Sequence, residues 1–199
     1  KDPGEWAGSV TVRGGEHLRA ARSGVLLLGF HLGPPLTWLM LRARGIPVRM
    51  AARFNQTGTD PRWTALANTG DIIPLPEHDP AGRLQALYRI GTLLARNASI
   101  FMTADGPLGR EVFRLDLPGT PLVVRGGWFA VRRQTRVPTL PVLAHEEAGQ
   151  IVVEIHPPLP DVAADVDADA AACRAALTPL VRGFVERHPE QCRYLAFPW

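Results

Sequence analysis

Short apolar segments of strand length alternate with segments of helical periodicity along most of this 199-residue chain, and this alternation restricts the chain to a layered α/β fold. Val25–Phe30 is short and continuously apolar, as in a strand that is buried on both faces. Pro34–Ala43 follows, with its apolar residues at helical spacing. The pattern therefore predicts a strand, a turn at His31 and a helix.

The same two patterns predict the rest of the chain as further strands and helices. The predicted strands are Val48–Arg53, Ile72–Pro74, Ser99–Thr103, Phe113–Leu117, Val137–Leu143 and Ile151–Ile155. The predicted helices are one that begins at Asp60-Pro61 and ends near Gly70, then Pro80–Arg96, Pro121–Arg133 and Ala170–Arg187. Since no repeat, low-complexity tract or linker interrupts them, residues 1–199 are predicted to form one α/β/α domain with a mixed, mostly parallel central sheet.

The positive charge of the chain is carried almost entirely by arginine. Lysine and arginine number 22 against 19 acidic residues, which gives a net charge of +3, and Lys1 is the single lysine. Guanidinium groups favour bidentate contacts with carboxylates and phosphates. Because the arginines are scattered and do not line one face together with aromatic residues, no nucleic-acid partner is expected.

The absence of familiar motifs excludes several classes of enzyme. The chain has no GxxxxGK[ST], GxSxG or HExxH motif and no GxGxxG that opens a helix, which removes P-loop and serine-hydrolase functions. Cys173 and Cys192 lack CxxC spacing and are predicted to be free thiols. His145 precedes two glutamates in a predicted hairpin, where a solvated turn is favoured over a metal site, and no metal is predicted.

Two residues with catalytic chemistry follow the ends of predicted strands. His31 comes directly after Val25–Phe30, and Asp105 comes two residues after Ser99–Thr103. Catalytic groups of open α/β sheets gather at the carboxyl ends of strands, so the two side chains are predicted to meet although 74 positions separate them. Such a pair suits acyl transfer, since neutral imidazole can deprotonate a hydroxyl while the carboxylate orients the ring. Structural roles in turns remain open for both residues.

Several segments, taken in order, resemble the bacterial lipid A (lauroyl and myristoyl) acyltransferases of the lysophospholipid acyltransferase superfamily. Gly29-Phe30-His31-Leu32-Gly33 is similar to the start of their catalytic motif, and His188-Pro-Glu-Gln191 to their closing motif. The other similar segments are Val48–Asn55, Ser99–Gly109, Phe113–Val142 and Ile151–Leu159. The resemblance implies the acyltransferase fold and transfer of a fatty acyl group from acyl carrier protein or coenzyme A to a hydroxyl or amine of a lipid-like acceptor, with His31 as the general base and no further cofactor.

The sequence departs from this family at the position that normally assists the histidine. The family has an acidic residue five positions after its histidine, where this chain has Leu36. Asp105 is therefore the first candidate to orient His31, in a turn where Gly106 is expected to permit positive φ and Pro107 to stiffen the bend. The alternative is a lipid-binding or acyl-binding protein that retains the fold without catalysis. The ending Cys192–Trp199 also differs from the family, so acceptor recognition is expected to differ.

Further residues are predicted to bind the substrates. Arg53 and Arg110 are candidates for binding a phosphate of the donor or of a lipid headgroup. Asn55 stands close to Arg53, and backbone groups of Gly33 and Gly106 are candidates to approach the reacting carbonyl. Large apolar residues can either line an acyl groove or fill the core, and the core is favoured: Trp38, Leu39, Leu41, Trp63 and Trp128–Phe129.

The resemblance also implies work at a membrane surface. The most apolar stretch, Gly24–Phe30, is far shorter than the roughly 20 residues of a spanning helix. The chain begins at Lys1 without an initiator Met, and proteins of this family usually carry an N-terminal membrane anchor, so the chain is expected to be a catalytic domain that lacks this anchor. The expected location is the cytoplasmic face of the inner membrane.

Overall fold

A computed structural model of the chain describes residues 9–54, 70–106 and 109–192. Seven of its strands form one mixed, mostly parallel sheet, as the sequence predicts. In chain order the strands are β1 (Val10–Arg13), β2 (Val25–Gly29), β3 (Val48–Phe54), β4 (Ile72–Pro76), β5 (Ser99–Thr103), β6 (Glu111–Leu115), β7 (Leu122–Arg125), β8 (Thr139–Glu147) and β9 (Gln150–Ile155). The strand order is β1-β9-β8-β2-β5-β3-β4, while β6 and β7 pair separately.

Five strands of the large sheet run in one direction, from β8 through β2, β5 and β3 to β4. Strand β9 is antiparallel to β8, and β1 is parallel to β9. The carboxyl ends of β2, β5, β3 and β8 therefore lie along one edge of the sheet. This edge is where the sequence places both His31 and Asp105.

Helices cover both faces of the sheet and make it a three-layer structure. They are α1 (Gly15–Ala20), α2 (Thr37–Ala43), α3 (Pro80–Ala95), α4 (Gly127–Thr135) and α5 (Val166–Arg187), followed by a short 3₁₀ turn at Pro189–Gln191. In β2, Leu26 and Leu28 enter one core with residues of α3, α4 and α5, while Val25 and Leu27 enter the other core with residues of α2. This alternation follows from the two-residue period of a strand, and it explains why β2 is apolar at every position.

The prediction of one helix over Pro121–Arg133 is wrong. Leu122–Arg125 is strand β7, which pairs antiparallel with β6, and the helix begins only at Gly127. The sequence pattern was ambiguous here because Gly126-Gly127 separates two short segments, each too short to establish a period. Strand β1 and helix α1, which precede the predicted elements, are likewise short, and α1 has no buried residue.

A buried ion pair fastens α4 to α5. Arg132, predicted on the polar side of its helix, is buried, and its guanidinium donates to Asp169, also buried, at 2.5 Å and to the carbonyl of Pro160. The neighbouring Arg133 donates to the other oxygen of Asp169 at 3.1 Å. Since each charge of such a buried pair would be costly alone, the contact fixes how the two helices meet.

Two further expectations concern the cysteines and the membrane. Cys173 and Cys192 are both free, as predicted. Both are also buried, and burial raises the pKa of each thiol to about 11. Among residues 9–54, 70–106 and 109–192, no helix combines the length and the apolar character that crossing a bilayer requires.

Candidate active site

Strand register brings His31 and Asp105 together. Gly29, the last residue of β2, lies opposite Thr103, the last residue of β5, and the two strands are parallel neighbours. The amide of Ala104 continues the pairing with a hydrogen bond to the carbonyl of Gly29 at 2.9 Å. His31 and Asp105 each follow two residues after these strand ends, so the fold places them side by side at the edge of the sheet.

The Asp105 carboxylate binds His31 through both the backbone and the ring. The His31 backbone N–H donates to Oδ1 and Oδ2 at 3.1 and 2.9 Å. The ring nitrogen Nδ1 lies 3.0 Å from Oδ1, within hydrogen-bond distance. Asp105 thus contacts both the backbone and the imidazole of His31, as the strand-end positions predict, while its role in catalysis stays a prediction.

The carboxylate of the pair is buried, whereas the imidazole is partly exposed. The side chain of Asp105 is 3% exposed and that of His31 is 30% exposed. Burial lowers the pKa of His31, but the hydrogen bond and the negative charge of Asp105 raise it by more, so that the net pKa lies above the ordinary 6.5. The carboxylate therefore favours the imidazolium form of His31.

This geometry defines what the histidine can do chemically. A proton on Nδ1 donates to the carboxylate, and in the neutral ring this leaves Nε2 as the basic nitrogen. Nε2 can then remove a proton from a hydroxyl or amine, and the nearby carboxylate stabilises the imidazolium that results. The arrangement can therefore provide an imidazole base and an orienting carboxylate, the two groups that a general-base mechanism requires.

Gly33 holds the loop after His31 against strand β8. Its φ is +72°, and a Cβ at this position would lie 1.8 Å from the carbonyl oxygen of Ala144. Its N–H donates to the carbonyl of Gln191 at 3.0 Å. In this arrangement the Gly33 amide is engaged within the protein, while its predicted approach to a reacting carbonyl stays a prediction.

Gly106 lies beside the His31 ring, although not for the reason expected. Its φ is not positive, whereas Gly109, three residues later, has φ +97°. A Cβ on Gly106 would lie 3.8 Å from Cε1 of His31 and 3.3 Å from Oγ1 of Thr103. The tight space beside Oγ1 of Thr103, and not a positive φ, is therefore what favours a glycine here, since the distance to the imidazole is an ordinary van der Waals contact. Pro107 lies outside the described residues.

Arg53 lies at the same sheet edge but is already bound to a carboxylate. Near the end of β3, its Nε and Nη2 lie 2.8 and 2.5 Å from Oε2 of Glu77, which follows β4. A phosphate would have to compete with Glu77 for this guanidinium. Arg110 is exposed, and its carbonyl accepts a hydrogen bond from Gly126 at 2.9 Å. Asn55 lies outside the described residues, so the substrate contacts of all three remain predictions.

Leu36 occupies the N-cap of α2 in a left-handed conformation with φ +68°. It packs at the border of the core formed with α2. The position that is acidic in the resembling family is therefore part of the apolar packing here, and Asp105 is the carboxylate that contacts His31.

Two residues at this edge have contacts that the sequence alone did not predict. Glu77 binds Arg53, and Gln191 joins the loop of Gly33 to β8. Glu77 stands just after a strand end, as His31 and Asp105 do, so the same positional signal could have found it. Gln191 follows a helix that is distant in sequence, and only its resemblance to a family motif marked it.

His145, His188 and most of the candidate groove residues have structural positions. His145 is buried and stacks on His188, with ring centroids 4.3 Å apart. In the part of the chain that the structure describes, no three metal-binding side chains cluster. The aromatic and aliphatic residues for which a groove was the alternative are buried in the two cores, except Trp63, which lies outside the described residues: Trp38, Leu39, Leu41, Trp128 and Phe129.

Comparison with solved structures identifies the same fold in an acyltransferase. The crystal structure of the 1-acyl-sn-glycerophosphate (LPA) acyltransferase PlsC from Thermotoga maritima superimposes with a TM-score of 0.61 over 99% of this chain and 79% of that chain, at 13% sequence identity. No family model matches the sequence, and no curated protein does. At this identity the comparison establishes the fold, a single α/β domain with a mixed, mostly parallel sheet like that of the acyltransferase.

Proposed function

We propose that this protein is an acyltransferase of the lysophospholipid acyltransferase superfamily. It would move a fatty acyl group from an acyl thioester, on coenzyme A or acyl carrier protein, to a hydroxyl or amine of a lipid-like acceptor. The observation that carries the proposal is the 3.0 Å contact between Nδ1 of His31 and the buried carboxylate of Asp105 at the edge of an acyltransferase-like sheet. The resemblance to the lipid A acyltransferases favours a glycolipid acceptor and work at a membrane surface.

In the proposed reaction, Nε2 of His31 removes the proton of the acceptor hydroxyl as its oxygen attacks the thioester carbonyl carbon. A new C–O bond forms, and the carbonyl electrons move to the oxygen in a tetrahedral intermediate. The carbonyl then reforms, the C–S bond breaks, and the leaving sulfur takes the proton back from the imidazolium. Asp105 stabilises the imidazolium between the two steps. No covalent acyl-enzyme forms, and the thioester is a substrate, so no cofactor takes part.

A second candidate is a protein that binds lipid or acyl groups without catalysis, and Leu36 favours it. The family that the sequence resembles has an acid at this position, and this chain has Leu36 there. The contact between Asp105 and His31 supplies a carboxylate from another strand, which is why the enzymatic function is preferred. Binding of an acylated ligand with no thiol release from any donor would support the second candidate.

The test is the release of free thiol from a panel of acyl-coenzyme A and acyl carrier protein donors, with lipid acceptors present and acylated products identified by mass spectrometry. His31→Ala is expected to lower the rate by about 10²–10⁴-fold, the usual contribution of general-base catalysis. His78→Ala is the matched control, because the side chain of His78 is 89% exposed. An unchanged rate in His31→Ala would remove His31 from the mechanism.

A further inference from the structure

We propose that Gln191 is a positioning residue, which fixes the loop carrying His31 by joining this loop to strand β8. Its consequence for catalysis rests on the acyl transfer proposed above. The segment His188–Gln191 is marked in the sequence only by its resemblance to a family motif, and the proposed reaction uses none of its side chains. The contacts of Gln191 are what assign it a role.

The side chain of Gln191 pairs with the backbone of strand β8. Its Oε1 accepts a hydrogen bond from the N–H of Glu146 at 2.8 Å, and its Nε2 donates to the carbonyl of Glu146 at 3.0 Å. Strand β2 pairs with β8 only as far as Pro141, whereas β8 continues to Glu147. The side-chain amide of Gln191 therefore donates one hydrogen bond to the backbone of Glu146 and accepts another from it, as a neighbouring strand would do. It does so beyond the point where the pairing with β2 ends.

The backbone of Gln191 binds the loop that carries His31. Its carbonyl accepts the N–H of Gly33 at 3.0 Å, two residues after His31. On its other side, the loop is held by Asp105, whose carboxylate accepts the N–H of His31. Two contacts therefore hold the loop that carries His31. Asp105 binds the N–H of His31, and the carbonyl of Gln191 binds the N–H of Gly33.

The turn that contains Gln191 is itself held firmly. The N–H of Gln191 donates to the carbonyl of His188 at 3.0 Å, and Sγ of Cys192 lies 3.2 Å from the same carbonyl. His188 stacks on His145 of β8 and lies 5.2 Å from the ring of Phe184. Burial and the neighbouring His145 lower the pKa of His188 and so disfavour its charged form. Because these contacts hold the turn in place, they also fix the position of the Gln191 carbonyl that binds the N–H of Gly33.

Loss of the amide is expected to loosen the loop without removing any group that reacts. We compare wild type with Gln191→Ala and with Gln191→Met, which keeps the length and bulk of the side chain but cannot form the two hydrogen bonds. Gln150→Ala is the matched control, since Gln150 is an exposed glutamine at the same end of the β8–β9 hairpin. The role of Gln191 is judged only from a variant whose circular dichroism spectrum shows that it is folded like wild type.

Two measurements test the role. Thiol release should show kcat lowered about 10–100-fold with KM within about 3-fold of wild type, because misplacement of the base affects the chemical step more than binding. The pKa of His31 is measured by ¹⁵N titration of its ring, with the signal assigned by comparison with His31→Ala. In the Gln191 variants this pKa should fall toward the ordinary value of about 6.5, because the contact with Asp105 weakens. Gln150→Ala should match wild type in both measurements.

The outcomes separate this inference from the proposed function. If a folded Gln191 variant retains the wild-type kcat and the wild-type His31 titration, Gln191 does not position the loop, even where thermal stability falls. If the wild type releases no thiol, the acyl transfer is rejected instead. If His31→Ala releases thiol at the wild-type rate, His31 is removed from the mechanism. The His31 titration then decides the positioning role by itself, since this measurement requires no turnover.

Discussion

At the scale of single residues, the properties of His31 reflect two opposing effects. Burial disfavours the imidazolium, whereas the hydrogen bond and charge of Asp105 favour it and prevail. Because the folded pKa lies above the unfolded value of about 6.5, the pair contributes its full stability below that pH. This contribution is lost as the pH rises through the folded pKa. The same deprotonation gives the neutral imidazole that the proposed reaction needs, so the pair is expected to stabilise the protein most at the pH where the proposed reaction is slowest.

Asp105→Asn separates these effects. The amide removes the negative charge while burial remains, so the pKa of His31 should fall below its wild-type value. In wild type, kcat/KM should rise with pH along a limb whose midpoint lies above 6.5, and in the variant this limb should move to lower pH. The plateau should also drop by about 10²-fold or more, because an amide does not stabilise the imidazolium. The measurement is the pH dependence of thiol release.

A distant aspartate provides the control for this variant. Asp116 is exposed and contacts Arg174 at the surface of α5. Asp116→Asn changes the net charge of the protein by the same amount, so its pH profile should match that of wild type. Identical profiles for Asp105→Asn and wild type would mean that Asp105 only shapes its turn.

At the scale of elements, the loop between β2 and α2 is defined by its closeness to β8. Gly33 and Leu36 both have positive φ, at +72° and +68°. Gly33 combines this conformation with direct contact to the carbonyl of Ala144. The loop therefore turns sharply beside β8, and His31 stays near the end of β5. Helix α2 then begins on the face of the sheet opposite to α3, α4 and α5.

Gly33→Ala tests this packing against a matched glycine. Gly149 has a similar φ of +77° in the β8–β9 turn, but a Cβ there meets nothing within 4 Å. Gly149→Ala should cost only the left-handed backbone, about 1–2 kcal/mol in the free energy of unfolding. Gly33→Ala adds the clash with Ala144 and should cost about 3 kcal/mol or more. Urea unfolding of both variants measures the difference, and equal losses would contradict the packing.

Helices and strands were predicted well where their segments were long or bounded by clear turns. Strand β5 and helix α3 lie where the pattern of apolar residues placed them, to within one residue at each end. The segment of β7 and α4 was misassigned because strand and helix periods cannot be told apart over four residues. Pairing with β6 decided its structure, and this pairing joins residues that are not adjacent in the chain.

At the scale of the whole molecule, one sheet separates two cores. Leu28 packs among residues of α3, α4 and α5, and Leu27 packs among residues of α2, although the two leucines are neighbours in β2. Both cores therefore depend on the same strand. A molecule built in this way is expected to lose both cores together, as a single cooperative unit.

Leu27→Ala and Leu28→Ala test this cooperativity. Both side chains are fully buried, so each truncation should lower the free energy of unfolding by about 2–5 kcal/mol. Circular dichroism and tryptophan fluorescence should report one coincident transition in each variant. Leu84→Ala is the control, because Leu84 is 57% exposed on α3 and should change little. Two separate transitions would show that the cores are independent units.

The sequence by itself determined the α/β class, the mixed sheet and the positions of His31 and Asp105 after strand ends, because these depend on local periodicity and on chain order. Only the tertiary structure decided that β2 and β5 are neighbours in register and that Asp105 reaches Nδ1 of His31. It also paired Arg53 with Glu77 and Gly33 with Gln191. The physical reason is that hydrogen bonds act over about 3 Å, whereas their partners are separated by tens of residues whose path only the folded sheet establishes.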